Sequence, residues 1–193
     1  MIQKVGLFFG SFNPIHFGHL IIANHMVEHT NLDQVWFVIS PCNPLKQKSS
    51  LLDERHRLSM VKIAIEDNPK FRASDIEFKL SQPSYTTHTL AYLADAYPNK
   101  EFSLIMGGDN LETIEKWKNY QFILDNYPIF VYPRPGCVID KWLVHPNVHI
   151  TNSPFMDISS SYIRSQISQS KSIRYIVPEE VAKYIDEMHF YRK

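Results

Sequence analysis

The sequence has no excess of charge of either sign. Its 193 residues include 20 lysines and arginines and 20 aspartates and glutamates, so the net charge is zero when the nine histidines are neutral. Proteins that hold nucleic acid or anionic membranes through their overall electrostatic field are usually strongly basic. We therefore expect neither nucleic acid nor a membrane as a partner.

Cysteines are few and long apolar runs are absent. Cys42 and Cys137 belong to no CxxC pair and are too few for a disulfide framework, which predicts a reducing, cytoplasmic location. Residues 5–27 contain no Asp, Glu, Lys or Arg, but Asn13, Pro14 and three histidines interrupt them. No apolar run approaches the roughly 18 residues that a membrane span requires, so we expect neither a span nor a signal peptide.

What is present predicts a single α/β domain over residues 1–193. Hydrophobic residues make up 44% of the chain and charged residues 21%, which is typical of a globular protein with one core. Apolar runs that predict parallel strands buried on both faces occur at residues 4–9, 34–39, 102–106, 128–132 and 147–150. Helices are predicted between them at residues 53–67 and 87–96, and again from residue 178. This order predicts an open, doubly wound parallel sheet whose ligands bind beyond the carboxyl ends of the strands.

The first predicted strand runs into a turn and a helix at residues 10–19 (GSFNPIHFGH). The segment is neither the GxGxxG of dinucleotide-binding folds nor the GxxxxGK of P-loops, and the sequence contains neither pattern elsewhere. Gly10 and Ser11 would still let a phosphate approach the backbone, and the N–H groups of the following helix favour an anion. His16 and His19 are expected on the same side of the first helical turn, where each can donate a ring N–H to phosphate. The alternative is that they are capping or core histidines.

His25 and His29 lie on the same predicted helix and are four residues apart, as metal ligands can be. Helical geometry places them opposite the apolar stripe of Leu20, Ala23 and Met26. We therefore expect them on the solvated face and predict no metal site there.

A second segment, residues 158–164 (ISSSYIR), follows the last predicted strand. Its serines suit the start of a helix, which is their simplest explanation. Arg164, one turn inside that helix, can fold its planar guanidinium back over an anion at the helix start. Two helix N-termini, one from each half of the sheet, would then converge on one polyphosphate.

Together these segments resemble the HxGH and SSTxIR motifs of the nucleotidyltransferase superfamily. Nearly the whole chain is similar to the nicotinate-nucleotide adenylyltransferases, since PSYT at 83–86, MGGD at 106–109, Trp117 and PRPG at 133–136 follow in that family's order. The resemblance implies a Rossmann-like nucleotidyltransferase domain whose helices from about residue 160 complete the nucleotide site. It implies adenylyl transfer from ATP to nicotinate mononucleotide, the two small-molecule partners, with Mg²⁺ as the cofactor that accompanies ATP and is held largely by phosphates.

The resemblance also assigns roles to matching positions. The catalytic residues would be His16, His19 and Arg164. ATP would lie against Gly10, Ser11, Phe12, His16, His19, Gly107, Asp109, Pro133, Arg134, Ser160 and Arg164. The acceptor would be bound by Lys46, Thr86, Asp109, Trp117 and Lys118. No residue is assigned to a metal held by the protein itself.

Four positions depart from the family pattern: Asn13 replaces an Asp, Ser161 a Thr, His88 an Asp and Leu45 a His. Three other functions compete with this interpretation. A pantetheine-phosphate adenylyltransferase is disfavoured by the PSYT segment, a non-catalytic nucleotide sensor by the intact histidine pair, and a tRNA-synthetase-like protein by the absence of KMSKS. The sequence leaves the oligomeric state open, a homo-oligomer included.

Overall fold

The computed structural model describes residues 2–41 and 51–192. Two residues of the sequence analysis lie outside these ranges: Lys46, the predicted contact of the acceptor, and Leu45, which departs from the family pattern. Beside short 3₁₀ turns, the elements in chain order are β1 Gln3–Gly10, α1 Phe17–His29, β2 Gln34–Ile39, α2 Glu54–Ala64, β3 Phe71–Ser74, α3 Thr86–Ala96, β4 Lys100–Gly107, α4 Gly108–Glu112, α5 Tyr120–Asn126, β5 Ile129–Tyr132, β6 Val148–Ile150, α6 Ser160–Ser168 and α7 Glu179–Glu187.

The strands of the described residues form one parallel sheet in the order β3-β2-β1-β4-β5-β6. From β1 the chain winds outward to β2 and β3, then crosses to the other side of β1 and winds outward again from β4. This confirms the predicted doubly wound sheet. The winding direction reverses between β1 and β4, where open α/β sheets bind their ligands at the carboxyl ends. Gly10 ends β1 and Gly107 ends β4 at this position.

Both faces of the sheet are covered at its centre, because alternate residues of β1, β2, β4 and β5 enter different apolar clusters. Phe8 and Phe37 join a cluster that includes residues of α1, α2, α6 and α7. Leu7 and Trp36 join a second cluster with residues of α3, α4 and α5. Burying a side chain of this size contributes roughly 1.5–3 kcal/mol, so the continuously apolar strands are explained by burial on two sides.

One strand is missing from the prediction. β3, Phe71–Ser74, has only four residues and lies at the edge of the sheet. Its second residue, Arg72, is exposed and stacks its guanidinium over Trp36, 4.1 Å from the ring centroid. A short edge strand with a polar side chain carries no apolar run, so only its pairing with β2 identifies it.

Within the two described ranges, no helix has the length and apolar character needed to cross a membrane.

Candidate active site

The turn between β1 and α1 is held from inside the protein by Phe12. Its backbone is left-handed, with φ of +43°, and its side chain is only 2% exposed. The ring packs edge-on against His19, with centroids 5.0 Å apart. Phe12 therefore anchors the turn through its side chain, which leaves only its backbone to meet a ligand.

His16 and His19 lie together at the start of α1, as predicted. The backbone N–H of His16 donates to Nδ1 of His19 at 3.3 Å, and the two rings stack with centroids 3.7 Å apart. Because Nδ1 of His19 accepts a hydrogen bond, the neutral ring carries its proton on Nε2. That N–H has the polarity that a phosphate oxygen requires. The structural alternative also holds in part, since His16 occupies the N-cap position of α1.

His16 is buried and uncharged. Burial, with a smaller contribution from the Arg134 guanidinium, lowers the pKa of His16 from 6.5 to about 4. Its Nδ1 is buried and has no hydrogen-bond partner among the described residues. Gly18 makes room for the ring, because a Cβ there would lie 3.0 Å from Nδ1 of His16. At neutral pH the ring can therefore offer a hydrogen bond without bringing a charge.

Helix α6 meets the same turn, which confirms that the two helix N-termini converge. The Ser160 hydroxyl donates to the Pro14 carbonyl at 2.9 Å, and Arg164 Nη1 donates to the Asn13 carbonyl at 2.8 Å. The N-cap is Ser159, whose Oγ accepts from the Tyr162 N–H. Since the Ser160 hydroxyl proton is engaged by Pro14, its backbone N–H is the group that suits an anion.

The ends of β4 and β5 bring another group of predicted residues to this turn. Gly107 precedes α4, and a Cβ there would collide with the Asp109 carboxylate. Asp109 is exposed, lies in the first turn of α4, and has its Oδ1 4.0 Å from Arg134 Nε. Arg134 follows Pro133 at the end of β5 and stacks over Tyr132, 5.3 Å from the ring centroid. The positive charge of Arg134 also contributes to lowering the pKa of His16. The end of β5 therefore influences the histidine pair electrostatically.

A cavity of about 450 Å³ opens beside the carboxyl ends of β1 and β4. This volume is in the range of small-molecule sites. Six predicted residues line it: Gly10, Ser11, Thr86, Asp109, Trp117 and Lys118. Because Gly10 and Ser11 also belong to the β1–α1 turn, the cavity adjoins the histidine and arginine cluster.

The cavity wall at α3 suits a negatively charged group. Thr86 begins α3, and its N-cap, Tyr85, provides no side-chain hydrogen bond to the N–H groups of the first turn. Lys118 adds a positive charge nearby, with Nζ 4.4 Å from the centroid of the Tyr85 ring. Trp117 is half-buried and packs on the apolar cluster beneath α3 and α5, so its core role and its place in the cavity coexist.

A larger and more open hollow of about 1120 Å³ lies between α6 and α7. None of the predicted site residues lines it, and neither does any residue of β1 or β4. The smaller cavity at the reversal of the sheet is therefore the candidate site.

Arg57 is a residue that the sequence analysis missed. It is completely buried, and its guanidinium donates to the carbonyls of Leu52, Ser11, Ser40 and Pro41 at distances between 2.6 and 3.1 Å. It thereby joins the loop after β1 to the loop after β2 and places a positive charge beneath the turn. The signal in the sequence was its position on the buried face of α2, where a charged residue needs partners.

Glu77 was missed as well. It is 3% exposed, lines the cavity, and accepts hydrogen bonds from Ser84 Oγ at 3.1 Å and Thr89 Oγ1 at 2.9 Å. Burial raises the pKa of Glu77, while hydrogen bonds from Thr89, Ser40 and Ser84 oppose the shift. Glu77 therefore holds the PSYT segment to the cavity wall, and no local pattern in the sequence predicts this contact.

Asn13, one of the four positions that depart from the family pattern, is buried, with 3% exposure. Its Oδ1 accepts from the Leu52 N–H at 3.3 Å and from the Tyr191 hydroxyl at 2.8 Å. A neutral amide provides this acceptor without burying a charge. His88, another of these positions, is exposed and packs against Tyr85, so its side chain is not part of the cavity wall.

The second histidine pair on α1, His25 and His29, lies apart from His16 and His19. His29 is exposed as expected, whereas His25 is half-buried, and their rings stack with centroids 4.5 Å apart. Over residues 2–41 and 51–192 there is no group of three or more His, Cys, Asp or Glu side chains that could hold a metal ion.

The chain is similar to known proteins in sequence and in fold. The family described as Cytidylyltransferase-like matches residues 7–166. The Flavobacterium psychrophilum protein named "Probable nicotinate-nucleotide adenylyltransferase" is 54% identical, with 99% of this chain and 100% of that protein covered. The protein of the same name from Flavobacterium johnsoniae is 55% identical at the same coverage.

A structure of the Plasmodium falciparum nicotinic acid mononucleotide adenylyltransferase superimposes with a TM-score of 0.82. The two chains are 22% identical, and the match covers 98% of this chain and 97% of that one, which shows a shared fold. Sequence and fold agree: the chain belongs to the cytidylyltransferase-like family and, within it, to the nicotinate-nucleotide adenylyltransferases.

Proposed function

We propose that this protein transfers the adenylyl group of ATP to nicotinate mononucleotide, forming nicotinate adenine dinucleotide and pyrophosphate in NAD biosynthesis. The observation that supports this proposal most directly is that a turn surrounded by hydrogen-bond donors borders the cavity. Gly10 and Ser11 line the cavity and belong to the turn that His16, His19 and Arg164 surround. Two phosphorylated substrates bound on either side of this boundary would meet at their phosphates.

In the proposed step, a phosphate oxygen of nicotinate mononucleotide attacks the α-phosphorus of ATP. A new P–O bond forms as the bond to the bridging oxygen breaks, and pyrophosphate leaves with the electron pair. A phosphate monoester has a second pKa near 6 and is mostly dianionic at neutral pH, so no general base is required. The obstacle to the reaction is the negative charge of the two substrates. The protein would act by orienting these two polyanions and offsetting the charge that develops in the transition state.

The donors around the turn suit this task. His16 would offer a neutral N–H, His19 the proton on Nε2, and Arg164 the guanidinium N–H groups not used on Asn13 and Ser161. Asp109 would bind the ribose, and the loop at Pro133 and Arg134 would border the adenine.

Magnesium would enter as part of the MgATP substrate. Because the described residues contain no cluster suited to holding a metal, phosphate oxygens and water would supply most of the ligands. The ion would offset phosphate charge in the same region as Arg164.

The cavity would hold the acceptor. Its pyridine carboxylate would lie at the start of α3, where Thr86 and the neighbouring N–H groups have no side-chain cap, and Trp117 would cover the ring. Lys118 would add attraction, and Lys46 would contact the phosphate of the acceptor. The scarcity of cysteine supports placing the reaction in the reducing cytoplasm.

Purified protein incubated with MgATP and a panel of phosphorylated acceptors tests the proposal. Pyrophosphate should appear with nicotinate mononucleotide and not with phosphopantetheine or without an acceptor. Release with phosphopantetheine alone would assign a different transferase, and no release with any acceptor would favour a nucleotide sensor.

A further inference from the structure

The last described residues of the chain return to the β1–α1 turn. After α7, the Tyr191 hydroxyl donates to Asn13 Oδ1 at 2.8 Å, across 178 positions of sequence. We propose that Tyr191 is a positioning residue for ATP binding, which acts through Asn13 on the phosphate-binding turn. This inference rests on the proposed function only in taking the turn as the ATP site.

The segment after α7, residues 188–192 and here called the tail, has a backbone conformation that brings the Tyr191 hydroxyl to the β1–α1 turn. His189 and Tyr191 both have left-handed backbones, with φ of +54° and +61°. Non-glycine residues keep such angles where the surrounding structure holds them. Phe190 helps to fix this backbone, because the centroid of its ring lies 4.8 Å from the centroid of the His56 ring on α2. Tyr191 itself packs half-buried against the apolar cluster under α1 and α2.

Asn13 is the point through which the tail can affect the substrate. Its Oδ1 accepts from Tyr191 and from the Leu52 N–H, while its backbone carbonyl accepts from Arg164 Nη1 at 2.8 Å. Tyr191 and Arg164 thus hold the side chain and the backbone of one residue, three positions before His16. Removing the hydroxyl would take one hydrogen bond from the Asn13 side chain and loosen the carbonyl on which Arg164 is anchored.

The chemistry of the site keeps the hydroxyl a donor. Burial raises the pKa of Tyr191, and the charges of Arg164 and Arg57 only partly oppose this. The hydroxyl is therefore protonated at physiological pH and can serve the Asn13 oxygen, which only accepts.

The chain offers a matched control in Tyr184. Its hydroxyl lies 3.0 Å from His56 Nδ1 and ties α7 to α2, away from the turn. Tyr184→Phe and Tyr191→Phe remove the same atom from the same C-terminal region and differ only in the partner that is lost. A role confined to holding the C-terminal region in place would give both variants the same effect.

Steady-state pyrophosphate release and binding of α,β-methylene-ATP by calorimetry provide the test. Tyr191→Phe should lower kcat/KM for ATP about 2- to 10-fold, the range of one neutral hydrogen bond, and weaken analogue binding similarly. KM for nicotinate mononucleotide should change less than about 2-fold, and Tyr184→Phe should change none of these values by more than that. Equal effects of the two variants, or an equal loss toward both substrates, would overturn the proposal.

A double-mutant cycle keeps the test decisive if Tyr191→Phe lowers stability. In an Asn13→Ala background the same change should have no further effect on analogue binding, whereas additive effects would refute action through Asn13. If wild-type protein releases no pyrophosphate but binds the analogue, the proposed function fails and the binding comparison still decides the role of Tyr191. Wild-type protein that does not bind the analogue would refute both.

Discussion

Replacing His16 by Asn should remove part of the acid sensitivity of folding. Asn suits an N-cap position and does not titrate. The wild-type ring is 4% exposed, and its pKa is about 4 against 6.5 for an unburied histidine. The folded protein therefore favours the neutral ring, and it loses stability as the pH falls through that interval.

The size of the effect follows from the two pKa values. Well above pH 6.5 the ring of His16 is neutral in both the folded and the unfolded state, and the full contribution to stability is present. Near pH 5 the unfolded ring is almost fully protonated while the folded ring is mostly neutral, which costs the fold about 2 kcal/mol. Below pH 4 the loss approaches about 3 kcal/mol, the value of the whole shift.

Urea unfolding of both proteins at about pH 7.5 and about pH 5 measures this contribution. The free energy of unfolding should fall by about 2 kcal/mol more in the wild type than in His16→Asn. Using the difference between the proteins cancels other groups, including Glu77, whose raised pKa acts in the opposite direction. The same pH dependence in both proteins would show that His16 is not held neutral by burial.

Three further outcomes are expected. His19→Ala should lower kcat roughly 100-fold, the scale for losing one preorganised donor, while His25→Ala stays within about 2-fold of wild type; equal losses in steady-state assays would show that the two pairs on α1 are misassigned. Arg57→Met should lower the free energy of unfolding by about 3 kcal/mol or more, because buried carbonyls lose a charged donor, and an unchanged urea midpoint would contradict this. The value of kcat/KM for nicotinate mononucleotide should exceed that for its amide analogue by roughly 10⁴, since the N–H groups near Thr86 suit a carboxylate and oppose an amide NH₂; equal values would mean that the cavity does not distinguish the two groups.

Local patterns in the sequence were sufficient for most of the architecture. Apolar runs predicted five of the strands within the described residues. Their lack of alternation predicted burial on both faces, which is confirmed for β1, β2, β4 and β5 and is wrong for the edge strand β6, where His149 and Ile150 are exposed. The placement of His16 and His19 on one side of α1 was also confirmed. These features depend on residues a few positions apart, which a sequence displays directly.

The family resemblance identified the residues at the carboxyl ends of β1 and β4, but tertiary packing decided how they are held. Ser160, which is predicted to contact ATP, donates its hydroxyl proton to the Pro14 carbonyl. His16 is uncharged because the folded chain buries it near Arg134. These two residues are 118 positions apart in the sequence.

The sequence by itself determined a doubly wound parallel sheet and the starts of the helices α1 and α6, because backbone preference and apolar periodicity act over short separations. Only the tertiary structure decided that Arg57 supports the turn from beneath, that Glu77 holds the cavity wall, and that Tyr191 returns to Asn13. Each of these contacts satisfies a buried polar group with a partner from another element. Such partners are chosen by which elements pack together, and no pattern within one segment specifies that choice.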